Sequence, residues 1–278
     1  MLLQQSSPLA WPAGVAPGVD RTHLASSGLV FSGVGIGGQA SFSRIDTPQT
    51  PVITAPPVGV IDGAIGPSFQ PATTNNGAGP RATFSPVSVP SGGNVTVAFI
   101  CRPLSITGGA SWRPFSTGTV GNQAVIGAAT TGLLSFRLGG TTTSTTLSLS
   151  AGNSYFVSIS ALGASSFNAL TLNLNSGQLL TATVSISTGA ASDTTMIIGN
   201  NNAGNVCFGG NIAAFMYSTA YLGIKQMSAW AAAPWLFWYP RAEDEFQLYP
   251  FDYVGVIAAA FRAAWAQRRN TVYDGWAT

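Results

Sequence analysis

Apolar and polar side chains alternate over short stretches through most of this chain, and a period of two residues predicts β-strands. The clearest stretch runs from Val95 to Cys101. Its odd-numbered positions place Val, Val, Phe and Cys on one face, while Thr96, Ala98 and Ile100 lie on the other. Because both faces are largely apolar, we expect this strand to be central and covered on both sides.

The same pattern predicts further strands at residues 28–32, 82–84, 133–138, 145–149, 155–159, 170–174, 180–184, 196–198 and 211–217. Turns rich in glycine and asparagine separate the later ones, at the spacing typical of an antiparallel sandwich. Between residues 47 and 90 proline and glycine are dense, so we expect long loops joining short strands there. The expected buried positions include Val97, Phe99, Phe136, Val157, Leu172, Ile212 and Met216.

These elements predict an all-β fold, a two-sheet antiparallel jelly-roll sandwich over residues 25–241. Residues 1–24 contain three prolines and no periodicity, so we expect an irregular N-terminal arm that needs another surface to become ordered. Residues 224–233 are predicted to form a short helix that ends at Pro234. Residues 242–278 form a predicted C-terminal tail.

The tail contains a second predicted helix, which begins after Asp252, a residue type that caps helix N-termini. Its apolar face consists of Val254, Ile257, Phe261 and Trp265. An apolar helix beyond a finished sandwich needs a partner, so these four residues are the candidate assembly interface with a neighbouring subunit. The alternative is that the helix folds back on the edge or end of its own sandwich.

The composition indicates a surface of small, neutral polar groups. Charged residues make up 7% of the chain, against ~25% in typical domains. The formal net charge of +2 gives no electrostatic footprint for nucleic acid or an anionic membrane. Low charge also weakens repulsion between molecules, which suits packing against copies of the chain or other subunits. The apolar stretch 253–266 is too short for a membrane span of ~20 residues, and we expect no signal peptide.

Motifs for nucleotide binding, redox chemistry or serine catalysis are weak. Residues 33–38 (GVGIGG) match a GxGxxG spacing, but no helix pattern follows, so we expect a flexible glycine turn. His23 is the single histidine of the chain and is expected to be a hydrogen-bonding surface group. Cys101 and Cys207 lie in apolar stretches and are expected to be small buried side chains rather than a disulfide.

The first 240 residues contain four isolated acids, Asp20, Asp46, Asp62 and Asp193, for which we expect turn and cap roles. We therefore predict no catalytic residue, no cofactor and no bound metal, since paired carboxylates or clustered ligands are needed for those. Exposed aromatic side chains could stack on sugars, and the candidates are Trp112, Tyr155, Tyr217 and Tyr221. Trp112 is the candidate glycan contact, although aromatic residues in a sandwich more often belong to the core.

Three stretches carry a resemblance to a known family. Residues 209–222 (GGNIAAFMYSTAYL) resemble the last strand of concanavalin A-like and laminin-G-like domains, where a glycine-led strand runs into a short helix. Residues 230–241 (WAAAPWLFWYPR) resemble the ending of phage and prophage members of that group, and residues 20–31 (DRTHLASSGLVF) resemble their opening. Residues 82–84 and 95–102 also match their pattern, so the resemblance covers about residues 20–241.

The resemblance implies a jelly-roll domain of a tailed bacteriophage or prophage. We expect a structural component of the virion, either a capsid decoration protein or a tail accessory protein, assembled in the cytoplasm of the host bacterium. The alternative is a carbohydrate-binding module on the same particle that recognises host surface glycans. Two features depart from the family pattern: the helix lacks its usual acid, and the calcium-binding aspartates of sugar-binding relatives have no counterpart here. A calcium-dependent lectin and an enzyme are therefore not expected.

Overall fold

A computed structural model of the protein describes residues 9–36, 42–47, 51–54, 59–73, 79–90, 93–106, 111–118, 123–186, 192–201, 203–204 and 206–240. The chain divides into two compact units, residues 1–240 and residues 241–278, and the second lies outside the described ranges. The regular secondary structure of the described part is mostly β-strand. Among its helices, none is long and apolar enough to cross a membrane.

The strands are numbered in chain order: β1 (Leu29–Gly35), β2 (Phe42–Arg44), β3 (Val52–Thr54), β4 (Gly59–Asp62), β5 (Gly66–Ala72), β6 (Arg81–Phe84), β7 (Val95–Pro103), β8 (Trp112–Thr117), β9 (Gln123–Gly127), β10 (Leu133–Leu138), β11 (Thr141–Ser148), β12 (Tyr155–Leu162), β13 (Ser166–Asn173), β14 (Leu179–Ser185), β15 (Met196–Ile198) and β16 (Gly210–Ser218). One α-helix of the described part, α1 (Ile224–Ala231), follows β16. Short 3-10 helices cover Leu24–Gly28 and Pro234–Phe237.

The strands form two antiparallel sheets. The nine-stranded sheet has the order β14-β13-β12-β7-β16-β1-β2, with β5 paired to β16 and β4 paired to β5. The seven-stranded sheet has the order β11-β10-β9-β8-β15-β6-β3. The predicted fold class, a two-sheet antiparallel sandwich of jelly-roll type, is confirmed.

The main core lies between the two sheets. In β7, the side chains of Val97, Phe99 and Cys101 point into it, as the alternation predicted. All seven positions expected to be buried are buried, with at most 4% of each residue exposed. Cys101 and Cys207 are buried free thiols, which confirms their predicted role as small apolar side chains.

A second apolar layer covers the outer face of the nine-stranded sheet. Residues 224–239, here called the aromatic cap, pack there with Trp230, Trp235, Phe237, Trp238 and Tyr239, each at most 4% exposed. Beneath them lie the outward-facing side chains of the central strands: Ala98, Ile100, Phe156, Leu170, Leu172, Ala214 and Met216. Because β7 is covered by the main core on one face and by this second apolar layer on the other, both faces of the stretch 95–101 are apolar.

The N-terminal segment lies against the aromatic cap. The amide of Gly18 donates to the carbonyl of Trp238 at 2.8 Å, and the amide of Asp20 donates to the carbonyl of Phe237 at 2.9 Å. The indole of Trp235 donates to the carbonyl of Leu9 at 3.4 Å. The surface that orders residues 9–24 is therefore supplied by the last described segment of the same domain.

Several elements differ from the sequence expectations. The glycine-rich stretch 33–38 was expected to be a flexible turn, but Gly33 and Gly35 lie inside β1, and residues 37–38 lie outside the described ranges. A Cβ on Gly33 would overlap the Phe42 ring, and one on Gly35 would overlap the backbone of Ser68. These glycines therefore allow neighbouring strands to approach closely. The helix predicted to reach residue 233 ends at Ala231.

Candidate functional site

A row of polar side chains crosses the outer face of the nine-stranded sheet, beside the apolar layer. Asn211 of β16 pairs with Arg102 of β7, and the pairing of Tyr155 with Cys101 places Ser154 next to Arg102. Side chains alternate between the two faces along a strand. Because Cys101 and Ile212 point into the core, the adjacent Arg102 and Asn211 point outward. Gln70 of β5 extends the row by donating to Asn211 Oδ1 at 2.8 Å.

Asp62, at the end of β4, is the centre of this row and is only 7% exposed. Its carboxylate accepts from the amides of Ala64 (2.8 Å) and Ile65 (3.3 Å) and from Nδ2 of Asn211 (2.5 Å). Nη1 of Arg102 lies 3.2 Å from Asp62 Oδ1. Burial alone would raise the pKa of the Asp62 carboxyl, but these hydrogen bonds and the Arg102 charge outweigh it, so its pKa is lowered.

Arg102 connects the buried carboxylate to the surface. Its side chain is 33% exposed, and Nε donates to the carbonyl of Gly152 at 3.1 Å. The Asp62 and Arg102 charges cancel within this pair. We call Gln70, Asn211, Asp62, Arg102 and Ser154 the polar row.

A pocket of about 470 Å³ adjoins the Ser154 end of the polar row. We call it the Ser154 pocket. It is lined by Leu9, Ala10, Ala64, Ser154, Leu174, Asn175, Ser176 and Gly177. It therefore lies where the N-terminal segment, the turn after Asp62 and the turn after β13 come together.

The backbone of Ser154 is fully engaged, whereas its hydroxyl is not. The Ser154 amide donates to Asn175 Oδ1 at 2.6 Å, and its carbonyl accepts from the Leu174 amide at 2.8 Å. The residue is 1% exposed, and its Oγ has no hydrogen-bond partner in the described structure. The turn is held in place by Asn173, whose Oδ1 accepts from the amides of Asn175 and Ser176. Ser154 thus belongs to a fixed part of the pocket wall, and its own hydroxyl is buried.

The structure does not support Trp112 as a glycan contact. Trp112 is 0% exposed and packs in the core, with its ring centroid 5.4 Å from that of Phe208, so it has no face on which a sugar could stack. Tyr155 and Tyr217 are also buried. Tyr221 is half-buried, and its hydroxyl accepts from Asn168 at 2.8 Å. The predicted interface residues Val254, Ile257, Phe261 and Trp265 lie outside the described residues.

His23 makes a hydrogen bond as expected, but it is only partly exposed because it packs against the aromatic cap. Its ring centroid lies 4.4 Å from that of Trp230 and 5.3 Å from that of Phe237, both in the aromatic cap. Its Nδ1 accepts from the Ala25 amide at 3.2 Å. Burial lowers the pKa of His23, and the nearby Asp20 opposes this only in part. The neutral ring therefore serves as packing between the N-terminal segment and the cap.

This lowered pKa predicts a pH dependence of folding. Because the unfolded chain binds a proton more readily than the folded one, the contribution of His23 is present above its unfolded pKa of ~6.5 and is lost as the pH falls through its lower folded pKa. We expect the melting temperature of the wild type to fall more steeply between about pH 7.5 and pH 5 than that of His23→Phe. Parallel profiles in calorimetry would contradict this prediction.

Asp20 and Asp193 have the turn roles expected of the isolated acids, whereas Asp62 adds an ion pair to its turn role and Asp46 is in an ion pair instead. Asp20 accepts from the amide and hydroxyl of Thr22, and Asp193 accepts from the Thr194 amide. Asp46 pairs with Arg44 and accepts from the Ser32 amide. Within the described residues no group of three His, Cys, Asp or Glu side chains could hold a metal ion.

The polar row could not be predicted from the sequence, although one signal for it is present. Arg102 is the one charged residue in the apolar stretch 95–103, and a charge at the end of a central strand needs a partner. That the partner is Asp62, 40 residues away, depends on how β4, β5 and β16 pair. Ser154 carries no comparable signal in the sequence.

No family model and no curated protein gives a significant match to the chain. Among solved structures, the botulinum neurotoxin serotype G binding domain is similar, with a TM-score of 0.52 and 12% identity, over 73% of this chain and 50% of that one. The binding domain of botulinum neurotoxin DC in complex with SialylT has a TM-score of 0.51 and 11% identity, over 75% of this chain and 52% of that one.

A third similar structure is the enzymatically active domain of tailspike protein 2 from bacteriophage CBA120. It has a TM-score of 0.49 and 18% identity, over 67% of this chain and 30% of that one. The chain thus spans about half the length of the toxin binding domains and about a third of the tailspike chain. At these identities, the two toxin domains show that the sandwich fold is shared, and no more.

Proposed function

We propose that the protein is a non-enzymatic structural component of a tailed-bacteriophage virion, a capsid decoration or tail accessory protein that acts through contacts with neighbouring subunits. The sequence resemblance of residues 20–31 and 230–241 to phage proteins supports the virion assignment. The observation that carries the assembly role is the edge strand β14. The acids of the described part support a non-catalytic role, because each is engaged in a turn, cap or ion pair.

Strand β14 ends the nine-stranded sheet, and no described strand pairs with its outer side. Its sequence, LLTATVS, contains no charged residue and no proline. Leu179 and Leu180 are 42% and 43% exposed. Soluble proteins usually protect such edges with lysine, proline or a bulge, because an open strand can pair with another chain. An unprotected edge suits a protein whose edge is covered by a neighbour.

One edge of the seven-stranded sheet lies beside β14. Strand β11 ends the seven-stranded sheet and contacts β14, so two open edges meet on one side of the sandwich. The sequence of β11, TTTSTTLS, is also uncharged. A neighbouring subunit would meet a continuous neutral surface there, with little electrostatic repulsion to overcome.

A lysine on this edge tests the proposal. Thr181 is exposed in β14, so Thr181→Lys should leave the melting temperature within a few degrees of the wild type while it blocks strand pairing. We expect incorporation into purified particles, measured by quantitative mass spectrometry, to fall at least tenfold. The control is Ser88→Lys, which adds the same charge at an exposed position near β6 and should incorporate normally. Absence of the wild type from particles, or equal incorporation of both variants, would contradict the proposal.

A second candidate function is glycan binding on the particle, which the polar row and the Ser154 pocket favour. Amide, carboxylate, guanidinium and hydroxyl groups are the groups that hydrogen-bond to sugar hydroxyls, and here they are held in place by strand pairing. The pocket is lined by the turn that joins β13 to β14, so the two functions would use neighbouring parts of the surface.

A further inference from the structure

The two sheets differ in how their arginines are compensated. In the strands of the nine-stranded sheet each arginine has an aspartate partner, in the pairs Arg44–Asp46 and Arg102–Asp62. The strands of the seven-stranded sheet contain no acidic residue, although β8 contains Arg113 and β10 contains Arg137. Neither of these two arginines is in an ion pair within the described structure. The seven-stranded sheet therefore carries uncompensated positive charge.

Arg113 and Arg137 lie close together on the outer face of this sheet. Arg137 lies between Phe136 and Leu138, which point into the main core, so its own side chain points outward. Strand β9 separates β8 from β10, and the charges of Arg113 and Arg137 act on each other across it. Both residues are partly exposed, so a charged group that approaches the outer face can reach them.

This arrangement is electrostatically unfavourable in the protein on its own. The Nε atoms of Arg113 and Arg137 are buried and have no hydrogen-bond partner in the described structure. Burial, and after it the Arg137 charge, lowers the pKa of Arg113. A guanidinium nevertheless remains protonated at neutral pH, so two like charges face each other in a partly desolvated setting. A bound anion would remove this repulsion.

The partner that this fold already gives its arginines is a carboxylate. Nε of Arg44 donates to Asp46 Oδ1 at 3.1 Å, and Nη2 donates to Oδ2 at 2.8 Å. This two-point pairing is the geometry that a planar guanidinium and a planar carboxylate favour. Nucleic acid is a poorer fit, because its binding depends on many phosphate contacts and the formal net charge of the chain is only +2.

We infer that Arg113 and Arg137 bind carboxylate side chains from an acidic segment of a neighbouring virion subunit. The inference rests on the proposed assembly role and adds a second, charged contact to it. The site also adjoins the proposed interface, because Arg137 lies in β10 and β10 pairs with the edge strand β11. A neighbour that covers the edge formed by β11 and β14 would therefore lie one strand away from Arg137.

Two double variants that remove the same charge separate this site from the effect of net charge. Arg113→Gln/Arg137→Gln removes two positive charges from the outer face of the seven-stranded sheet. Arg21→Gln/Lys225→Gln removes two positive charges from exposed positions outside both sheets. Both variants should melt within a few degrees of the wild type, and the first should gain from the loss of repulsion. Arg137→Gln alone replaces the first variant if that variant does not fold.

The probe is a fluorescein-labelled hexaglutamate peptide, titrated with the full chain at low salt and followed by fluorescence anisotropy. We expect the wild type to bind it, Arg113→Gln/Arg137→Gln to bind it about tenfold more weakly or worse, and the control to match the wild type within about twofold. Arg137→Gln alone should weaken binding by a smaller factor than the double variant. Inorganic phosphate and an oligothymidylate of the same length are the comparators.

Three results of the titration would overturn the inference. Absence of hexaglutamate binding would remove the site, and equal weakening in the two double variants would reduce it to net charge. Displacement of the peptide by an equal concentration of inorganic phosphate, or tighter binding of the oligothymidylate, would refute the assignment to an acidic protein segment.

Incorporation into purified particles distinguishes this inference from the assembly role on which it rests. We expect Arg113→Gln/Arg137→Gln to be incorporated less than its control. Equal incorporation of the two would refute the inference and leave the proposed role of β14 standing, since Thr181→Lys tests that role separately. Absence of the wild type from particles would refute both.

Discussion

Trp238→Ala is expected to lower the free energy of unfolding by about 3–5 kcal/mol, a large part of the ~5–15 kcal/mol that stabilises a typical domain. Trp238 is 0% exposed, and its indole donates to the Phe215 carbonyl of β16 at 3.2 Å. Its ring lies 5.3 Å from Phe237 and 5.7 Å from Trp230. The substitution would leave a cavity at the centre of the aromatic cap and remove the hydrogen bond to the Phe215 carbonyl.

The control for this variant is Leu236→Ala, in the 3-10 helix that ends just before Trp238. Leu236 is only half-buried, so its truncation should cost much less. Urea unfolding followed by tryptophan fluorescence measures both. Equal midpoints for the two variants would show that the cap contributes little to the stability of the sandwich.

Trp238→Ala should also expose the N-terminal segment to protease. The Trp238 carbonyl accepts from Gly18, and the neighbouring Trp235 indole donates to Leu9, so residues 9–18 are attached through the cap. We expect limited proteolysis of Trp238→Ala to cleave within residues 9–18 before it cleaves the sandwich. This order of events would establish that the cap orders the segment, and not the reverse.

Several strands could be predicted from the sequence because apolar and polar residues alternate in them without interruption. The predicted stretches 133–138 and 196–198 coincide with β10 and β15. In contrast, β5 contains Pro67 and Pro71, and β8 contains Pro114, which interrupt the alternation and removed these strands from the prediction. Strand β9 is short, and its pattern is too weak to identify without its partners β8 and β10.

The candidate site was harder to predict than the fold, for a physical reason. Burial of an apolar residue follows from local periodicity, whereas the polar row combines residues from β4, β5, β7 and β16 whose register is set by tertiary pairing. Trp112 illustrates the same limit: an aromatic residue suits a sugar platform and a core equally well, and only the sheet geometry places it inside.

Two stretches at opposite ends of the described chain meet in the fold. Residues 20–31 and 230–241 are about 200 positions apart, yet His23 packs on Trp230, and the backbone amide of Asp20 donates to the Phe237 carbonyl. Ser218 donates to the Ala25 carbonyl and closes the same region. The two stretches therefore hold the beginning and the end of the described domain together. The proposed binding surfaces lie elsewhere, at β14 and at the Ser154 pocket.

Val157→Asp is expected to unfold the domain. Val157 is 0% exposed in β12, where it pairs with Phe99 and Thr171 and points into the core between the sheets. The change removes ~1.5–3 kcal/mol of apolar burial and places a carboxyl where no partner can reach it, at a cost of several kcal/mol more. Leu162→Asp is the matched control, because it introduces the same carboxyl in the same strand at a position that is 43% exposed. Circular dichroism should show a folded control and a Val157→Asp chain without cooperative melting, and a folded Val157→Asp variant with the wild-type melting temperature would refute the assignment of β12 to the core.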